Sequence, residues 1–153
     1  EKLVPVSGRN NIIKHQNYTI IDDCYNANPA SMKAAIDLLA MADTEKVAIL
    51  GDMFELGENA SALHAGVGEY AAKVGIDRIV CVGEESAHMY EAAKKIYDAI
   101  PLKERPEVLH FPTRERLLHA LENRGEELVP AGCTVLIKAS HGMHFEEIVE
   151  WMK

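Results

Sequence analysis

The stretch YTIIDDCYNANPASM, from Tyr18 to Met32, decides the fold class of this chain. Its first residues are aromatic, β-branched or otherwise typical of a strand, and they run directly into two adjacent aspartates. Asn28 and Pro29 then mark the start of a helix, because asparagine is a favoured N-cap and proline suits the first helical position. The stretch therefore predicts a strand that passes through a polar loop into a helix.

The same change from strand to helix recurs along the chain. Short apolar runs such as KVAIL, RIVCV and TVLIK are typical of strands that are buried on both faces of a parallel sheet. The predicted strands are Asn11–Lys14, Tyr18–Asp22, Lys46–Leu50, Arg78–Val82, Glu107–Phe111 and Thr134–Lys138. Right-handed crossovers between them predict a doubly wound α/β fold, a mostly parallel sheet of about six strands with helices on both faces. We expect residues 1–153 to form a single domain.

Apolar residues at helical spacing predict which face of each helix is buried. In chain order, the predicted stripes are Met32, Ala35, Ile36 and Leu39; Leu63, Val67, Tyr70, Ala71 and Val74; Ala87, Tyr90 and Lys94; Leu117, Leu118 and Leu121; and Phe145, Ile148, Val149 and Met152. Thr113 is the predicted N-cap of the fourth helix. The motif GVGEYA, Gly66–Ala71, matches a dinucleotide-binding fingerprint, but it lies inside a helical pattern. We interpret its glycines as sites of close helix packing.

Composition limits the classes of function. The chain has a formal net charge of −8, and an acidic surface disfavours nucleic acid and anionic membranes as partners. Its three cysteines have no CxxC spacing, which indicates free thiols in a reducing compartment, so we expect a cytoplasmic protein. No apolar run is long enough for a membrane span, no histidine spacing indicates a metal site, and no G-x-x-x-x-G-K-[ST] phosphate loop occurs.

Polar side chains follow the strand that opens the quoted stretch. In a doubly wound sheet, ligands bind outside the carboxyl ends of the strands, near the point where the strand order reverses. Asp22 and Asp23 end this strand, and Tyr25, Asn26 and Asn28 fill the loop. A helix cap would need only one of these residues. We therefore favour a ligand-binding rim, in which an aspartate could bind ribose hydroxyls and Tyr25 could lie against a base.

Two further loops follow predicted strands. In LGDMFELGE, Asp52 and Glu55 are possible ligand contacts, but a turn with acids at a helix N-terminus explains them equally well. In IKASHGMHFEE, Lys138 lies beside a helix start that Ser140 could cap, and Gly142 would allow a close approach of the backbone to a ligand. This arrangement suits a carboxylate or a phosphate, whereas the alternative for Lys138 is a solvated strand end.

These motifs together resemble the C-terminal domain of the Mur ligase family over nearly the whole chain. The matching segments are PVSGR, DDCYNANPASM, LGDMFELGE, LHAGVG and IKASHGMHFEEIV. The resemblance implies an ATP-dependent ligase of peptidoglycan synthesis that adds D-alanyl-D-alanine to a UDP-N-acetylmuramoyl tripeptide through an acyl phosphate. ATP and Mg²⁺ would be held mainly by a central domain and the UDP sugar by an N-terminal domain, both absent from this chain. Alone, the chain is expected to be inactive and to require no cofactor, and the intact enzyme is expected to be a monomer.

The resemblance also implies roles for particular residues. Arg9 would be catalytic, reaching the ATP phosphates when this domain closes over the nucleotide. Asp23, Tyr25, Asn26 and Asn28 would line the nucleotide, and Lys138, Ser140 and His141 would face the dipeptide. Where the family more usually has KGSR, this chain has KASH, so that Ala139 replaces a glycine and His141 an arginine. Histidine, unlike arginine, is mostly neutral at pH 7.

Two other interpretations stay open from the residues. The chain has acids and a lysine comparable to those of a response-regulator receiver, namely Asp22, Asp23, Asp52 and Lys138. Only one helix separates the acid pair from Asp52, however, whereas receivers have a further strand and helix there. A stand-alone nucleotide-binding module is the second alternative. Affinity of the chain for ADP would favour the module, and phosphorylation of Asp52 by acetyl phosphate would favour the receiver.

Overall fold

A computed structural model describes residues 11–153, so that Arg9 and the segment PVSGR lie outside the described residues. The strands are Asn11–Lys14 (β1), Thr19–Asp23 (β2), Lys46–Gly51 (β3), Arg78–Val82 (β4), Glu107–Phe111 (β5) and Thr134–Lys138 (β6). The α-helices are Pro29–Ala40 (α1), Ala60–Lys73 (α2), Ser86–Tyr97 (α3), Arg114–Leu128 (α4) and Glu146–Met152 (α5). Single 3₁₀ turns lie at Gly57–Asn59, Leu102–Glu104 and His141–Met143.

The strands form one sheet in the order β1-β2-β6-β3-β4-β5. Every pair is parallel except β1 with β2, which is antiparallel. Helices α1, α2 and α3 pack on one face, and α4 and α5 pack on the other. The predicted doubly wound fold is confirmed. Among residues 11–153, no helix is both long and apolar enough to cross a bilayer.

Strand β2 extends to Asp23, one residue beyond the prediction. Pairing with β6 continues through Asp22↔Ile137 to Asp23↔Lys138, so the second aspartate belongs to the sheet and not to the loop. At the other end, the strand begins at Thr19, and the hydroxyl of Tyr18 donates a hydrogen bond to the Met152 carbonyl (2.7 Å). The difference of one residue matters because it brings Asp23 beside Lys138 in the parallel register.

The predicted stripes are correct for α1 and α5, partly correct for α2 and wrong for α3. Helix α4 buries Leu117 and Leu121 and leaves Leu118 partly buried, and Thr113 caps it as predicted. Helix α2 buries the predicted Val67 and Ala71, but its other buried residues are His64, Gly68 and Ala72. Helix α3 buries a face rotated away from the predicted one, namely Ser86, Met89, Ala93 and Tyr97. These faces contain small and polar residues, which apolar periodicity does not detect.

The glycines of the GVGEYA motif differ in their surroundings. A Cβ atom at Gly68 would lie 2.2 Å from the backbone oxygen of Met89, so α2 and α3 pack closely at this position, as predicted. A Cβ atom at Gly66 would meet nothing within 4 Å, so the prediction of close packing is wrong for this glycine.

We expect alanine to have opposite effects at the two glycines. Gly68→Ala should lower the free energy of unfolding by about 2 kcal/mol, because the Met89 backbone must shift to accept the methyl group. Gly66→Ala should raise it by about 0.5–1 kcal/mol, because alanine favours the helix and meets no clash. Urea unfolding followed by circular dichroism measures both changes. Equal effects of the two substitutions would contradict the packing of α2 on α3.

Candidate functional site

Three loops meet at the carboxyl ends of the central strands, an edge that we call the carboxyl edge. Strand β6 lies between β2 and β3, and the chain leaves it toward α5, on the opposite face from α1 and α2. The connections therefore change face on both sides of β6, which is where doubly wound folds bind ligands. The loops are residues 24–28 after β2, 52–59 after β3 and 139–145 after β6.

A buried ion pair joins the carboxyl ends of β2 and β6. The Lys138 ammonium lies 3.0 Å from an Asp23 carboxylate oxygen and donates a 2.7 Å hydrogen bond to the backbone carbonyl of Asn26. Lys138 is only 1 % exposed, so the alternative of a solvated strand end is wrong. A buried ammonium is tolerated when such partners satisfy it, and here the partners come from the end of β2 and from loop 24–28.

Loop 24–28 has an inner side and an outer side. The Cys24 thiol is buried and donates to the Ile137 carbonyl (3.6 Å), whereas Tyr25 and Asn26 are exposed. The Asn28 side-chain oxygen accepts a hydrogen bond from the Ser31 backbone N–H (2.8 Å), and the Ser31 hydroxyl accepts one from the Asn28 backbone N–H (3.0 Å). Asn28 is thus the predicted N-cap of α1, within a reciprocal capping box.

The two aspartates of β2 have different environments, because successive side chains of a strand point to opposite faces. Asp23 lies on the same face as Ile21, in the core covered by α1, and Asp22 lies on the same face as Ile20. Burial raises the pKa of the Asp22 carboxyl above its ordinary value, against smaller opposing effects from Cys24 and Lys153. Only Asp23 belongs to the ion pair.

The carboxylate of Asp52 binds the N-terminus of α3. It accepts hydrogen bonds from the Ser86 amide (2.8 Å), the Ser86 hydroxyl (2.7 Å) and, more weakly, the Glu85 amide (3.4 Å). Gly83, with φ +120°, leaves room for this carboxylate, which a Cβ atom would approach to 2.4 Å. Asp52 is therefore a buried structural cap, whereas Glu55 is exposed, in the left-handed conformation with φ 63°.

Loops 52–59 and 139–145 are joined to each other. The Ser140 amide donates to the Asp52 carbonyl (3.0 Å), and the Ser140 hydroxyl accepts from the Phe54 amide (2.8 Å). Ser140 therefore does not cap a helix with its side chain, contrary to the sequence interpretation. Gly142 does permit a close approach, but to the Phe54 ring, which a Cβ atom would approach to 2.6 Å.

His64 is a structural residue of the site that sequence reasoning missed. The buried ring accepts a hydrogen bond from the Met53 amide (2.9 Å) at Nε2, and Nδ1 lies 2.7 Å from the Ala60 carbonyl. A carbonyl can only accept, so Nδ1 carries the proton and the ring is neutral. The detectable signal was its position at helical spacing with Val67 and Ala71, as part of the buried face of α2.

Aromatic rings lie along the outer side of the carboxyl edge. The Tyr25 and His141 rings have centroids 6.0 Å apart, and those of His141 and His144 are 6.3 Å apart. Both histidines are exposed, as is Phe54. The Arg114 guanidinium supports this segment by donating to the Met143 carbonyl (3.0 Å). The rings can contact a planar or apolar group of a ligand.

The carboxyl edge thus separates the predicted residues into two groups. Exposed residues that can touch a ligand are Tyr25, Asn26, Asn28, Glu55 and His141, with Asp23 partly accessible. Residues buried beneath them are Lys138, Ser140 and Asp52. Within the described part of the chain, no group of three or more side chains of the metal-binding kinds is found. The arrangement is suited to bind and orient a polar ligand that carries a planar ring.

Comparisons with known proteins give a consistent assignment. The family model "Mur ligase, glutamate ligase domain" matches residues 8–141. UDP-N-acetylmuramoyl-tripeptide–D-alanyl-D-alanine ligase from Bacillus subtilis is 37% identical over 134 residues, which are 86% of this chain and 27% of the relative. The enzyme of the same name from Escherichia coli is 36% identical over 135 residues, 88% of this chain and 26% of the relative. The chain therefore spans about a quarter of the length of these relatives.

Solved structures agree with the sequence relatives. A crystal structure of MurF from Acinetobacter baumannii superposes with a TM-score of 0.81 and 31% identity, covering 97% of this chain and 30% of that one. The structure of MurF ligase from Thermotoga maritima in complex with ADP gives a TM-score of 0.73 and 27% identity, covering 97% of this chain and 31% of that one.

Ser86→Ala should test the structural role of Asp52 as the cap of α3. Loss of a hydroxyl that donates to a buried carboxylate should lower the free energy of unfolding by about 2 kcal/mol. The matched control is Ser61→Ala in the exposed part of α2, which should change it by less than about 0.5 kcal/mol. Urea unfolding of both variants measures the difference. If Ser86→Ala is as stable as the control, Asp52 does not depend on this hydroxyl.

Proposed function

The chain belongs to the Mur ligase family, and from that membership we propose that it is the closing domain of an ATP-dependent ligase of peptidoglycan synthesis. The reaction joins D-alanyl-D-alanine to a UDP-N-acetylmuramoyl tripeptide, as the names of the relatives describe for those enzymes. ATP first phosphorylates the tripeptide carboxylate, and the dipeptide amine then attacks the acyl phosphate. We place the enzyme in the cytoplasm and expect it to act as a monomer.

The observation that carries this proposal is the convergence of three loops at the carboxyl edge. An exposed tyrosine ring, an exposed amide and a partly exposed carboxylate lie together there, at the point where the crossovers change face. Such a combination suits a nucleoside, because the ring can stack on a base and the carboxylate can accept hydrogen bonds from ribose hydroxyls. A related structure was solved with ADP, which is consistent with nucleotide binding in this family.

On the nucleotide side, we assign contacts to Asp23, Tyr25, Asn26 and Asn28. Lys138 contacts one oxygen of Asp23, whose side chain remains 14 % exposed and can be reached by a hydroxyl. The Asn28 oxygen is used in the helix cap, so its amide nitrogen is the atom that would donate to the ligand. Tyr25 is 45% exposed, so part of its ring surface can face a base.

On the dipeptide side, His141 is the exposed residue of the third loop. Ser140 is buried and engaged with Phe54, so its contribution is to fix the loop that presents His141. A protonated imidazole could pair with the carboxylate of the dipeptide, and a neutral one could donate a single hydrogen bond. Glu55, exposed in the neighbouring loop, is a further candidate contact.

We propose that Mg²⁺ and the ATP phosphates are held mainly outside this chain, by a central domain. Two acidic groups of the carboxyl edge are already engaged, because Asp23 pairs with Lys138 and Asp52 caps α3. The donor set here therefore fits the nucleoside better than a magnesium ion. Closure of this domain would exclude water from the acyl phosphate and complete the site.

The receiver-like alternative loses its chemical basis in the structure. Asp52, the candidate phosphorylation site, is 7 % exposed, and both of its oxygens accept hydrogen bonds from residues at the start of α3. A phosphoryl group on this carboxylate would displace those hydrogen bonds. A ligase assay on the full-length protein distinguishes a stand-alone nucleotide-binding module from the closing domain of a ligase.

The direct test is a ligase assay on the full-length protein that contains this chain. With ATP, Mg²⁺, the UDP-muramoyl tripeptide and D-alanyl-D-alanine, phosphate release should depend on both substrates and should accompany formation of the pentapeptide product. The 153-residue chain alone should show no turnover, because it lacks the proposed central domain. Robust ATP turnover by the chain alone, or a full-length protein that makes no pentapeptide product, would contradict the proposal.

In the same assay, Arg9→Ala should lower kcat by about tenfold or more, because a guanidinium stabilises charge on the transferred phosphoryl group. In the sequence, Arg9 lies two residues before Asn11. Asn11 pairs with Asp22 at the carboxyl edge. Lys14→Ala, at the exposed end of β1, is the control and should leave kcat unchanged. If kcat of the Arg9 variant equals that of the control, Arg9 has no part in catalysis.

A further inference from the structure

We infer that Lys138 is a positioning residue for the nucleotide half of the site and does not contact the dipeptide. This inference rests on the proposed function and reassigns a residue within it. A lysine at the end of the last strand, next to a loop that faces a substrate, would be expected to reach that substrate. The structure instead directs its ammonium inward, where it ties the end of β2 to loop 24–28.

The geometry leaves the ammonium few other partners. Lys138 is 1 % exposed, and its Nζ lies 3.0 Å from the Asp23 carboxylate and 2.7 Å from the Asn26 carbonyl. A dipeptide carboxylate could reach Nζ only by displacing these contacts from a buried position. Because an ammonium offers three donors, the two short contacts already use most of its capacity.

The two partners of Lys138 are residues proposed to contact the nucleotide. Its bond to the Asn26 carbonyl fixes the backbone at Asn26, next to the exposed Tyr25, and its pairing with Asp23 orients the carboxylate. The loop is otherwise held at its ends, by the buried Cys24 thiol and by the Asn28 capping box. Lys138 thus supports the middle of the loop, where the ligand contacts lie.

The register of the sheet makes this arrangement specific. Asp23 and Lys138 are direct partners in the parallel pairing of β2 with β6, and both side chains lie on the face covered by α1. A shift of one residue in either strand would separate them. The position of loop 24–28 is therefore coupled to the pairing of β2 with β6 through the Lys138 side chain.

The test is a comparison of Michaelis constants in the full-length enzyme carrying Lys138→Met. We expect KM for ATP to rise about tenfold, because the loop loses its fixed geometry, while KM for D-alanyl-D-alanine changes by less than about twofold. Tyr97→Phe is the control. It removes a buried hydroxyl that donates to the Ile76 carbonyl at the opposite edge of the sheet, and it should leave both constants unchanged.

Each alternative result overturns the inference. A rise in KM for the dipeptide with KM for ATP unchanged would make Lys138 a substrate contact, and unchanged constants would leave it without a role in binding. An equal rise in KM for ATP in Tyr97→Phe would indicate a general loss of stability. Lys138→Gln, which keeps a donor but removes the charge, is the milder variant. If both Lys138 variants fail to fold, Lys138 serves the stability of the whole domain and the inference is wrong.

A second readout separates this inference from the proposed ligase function. In the ¹H–¹⁵N spectrum of the 153-residue chain, Lys138→Met should shift the amide signals of residues 24–28 more than Tyr97→Phe does. That result would support the role of Lys138 in holding the loop even if the full-length protein proved inactive as a ligase. If the signals of residues 24–28 stay in place, the inference fails whatever reaction the protein catalyses.

Discussion

The buried ion pair between Asp23 and Lys138 is the interaction on which the carboxyl edge depends. Taking an ammonium and a carboxylate out of water is costly, and the cost is recovered only when both groups find close partners. Here the parallel register supplies the partner, and the Asn26 carbonyl accepts a further hydrogen bond from the ammonium. Loss of one member of such a buried pair typically lowers the free energy of unfolding by about 3–5 kcal/mol. Loop 24–28 and the pairing of β2 with β6 therefore both depend on this ion pair.

The rest of the edge is built by the same means, with buried polar groups that connect one loop to the next element. Asp52 joins β3 to the start of α3, and Ser140 joins the loop after β6 to Phe54. His64 holds Met53 from within α2. These groups are fixed by the protein and do not depend on a ligand. The exposed residues above them, such as Tyr25 and His141, are therefore presented by a rigid base, as a binding surface requires.

Sequence patterns predicted the sheet and the edge at which the candidate loops converge, because both follow from strong local signals. Apolar runs defined all six strands, and the polar residues after them marked the carboxyl edge. Helix faces were harder to predict. The α2 and α3 faces contain Gly68, which packs against the Met89 backbone, and Ser86, which bonds the Asp52 carboxylate.

The roles of individual site residues were the least predictable. Nothing in the chain order indicates that Lys138 turns inward to Asp23, because these residues are 115 positions apart and meet only through the parallel pairing of β2 with β6. In the same way, the bond between Ser140 and Phe54 exists only once β3 and β6 are neighbours. A local pattern can propose that a side chain binds something, but the tertiary structure selects the partner.

The most direct test of this account is a crystal structure of the full-length protein with a non-hydrolysable ATP analogue and Mg²⁺. The account predicts that the base or ribose contacts loop 24–28, with the Lys138 ammonium still bound to Asp23 and the Asn26 carbonyl. A nucleotide that binds without touching this loop, or a Lys138 side chain that turns outward to a substrate, would contradict it.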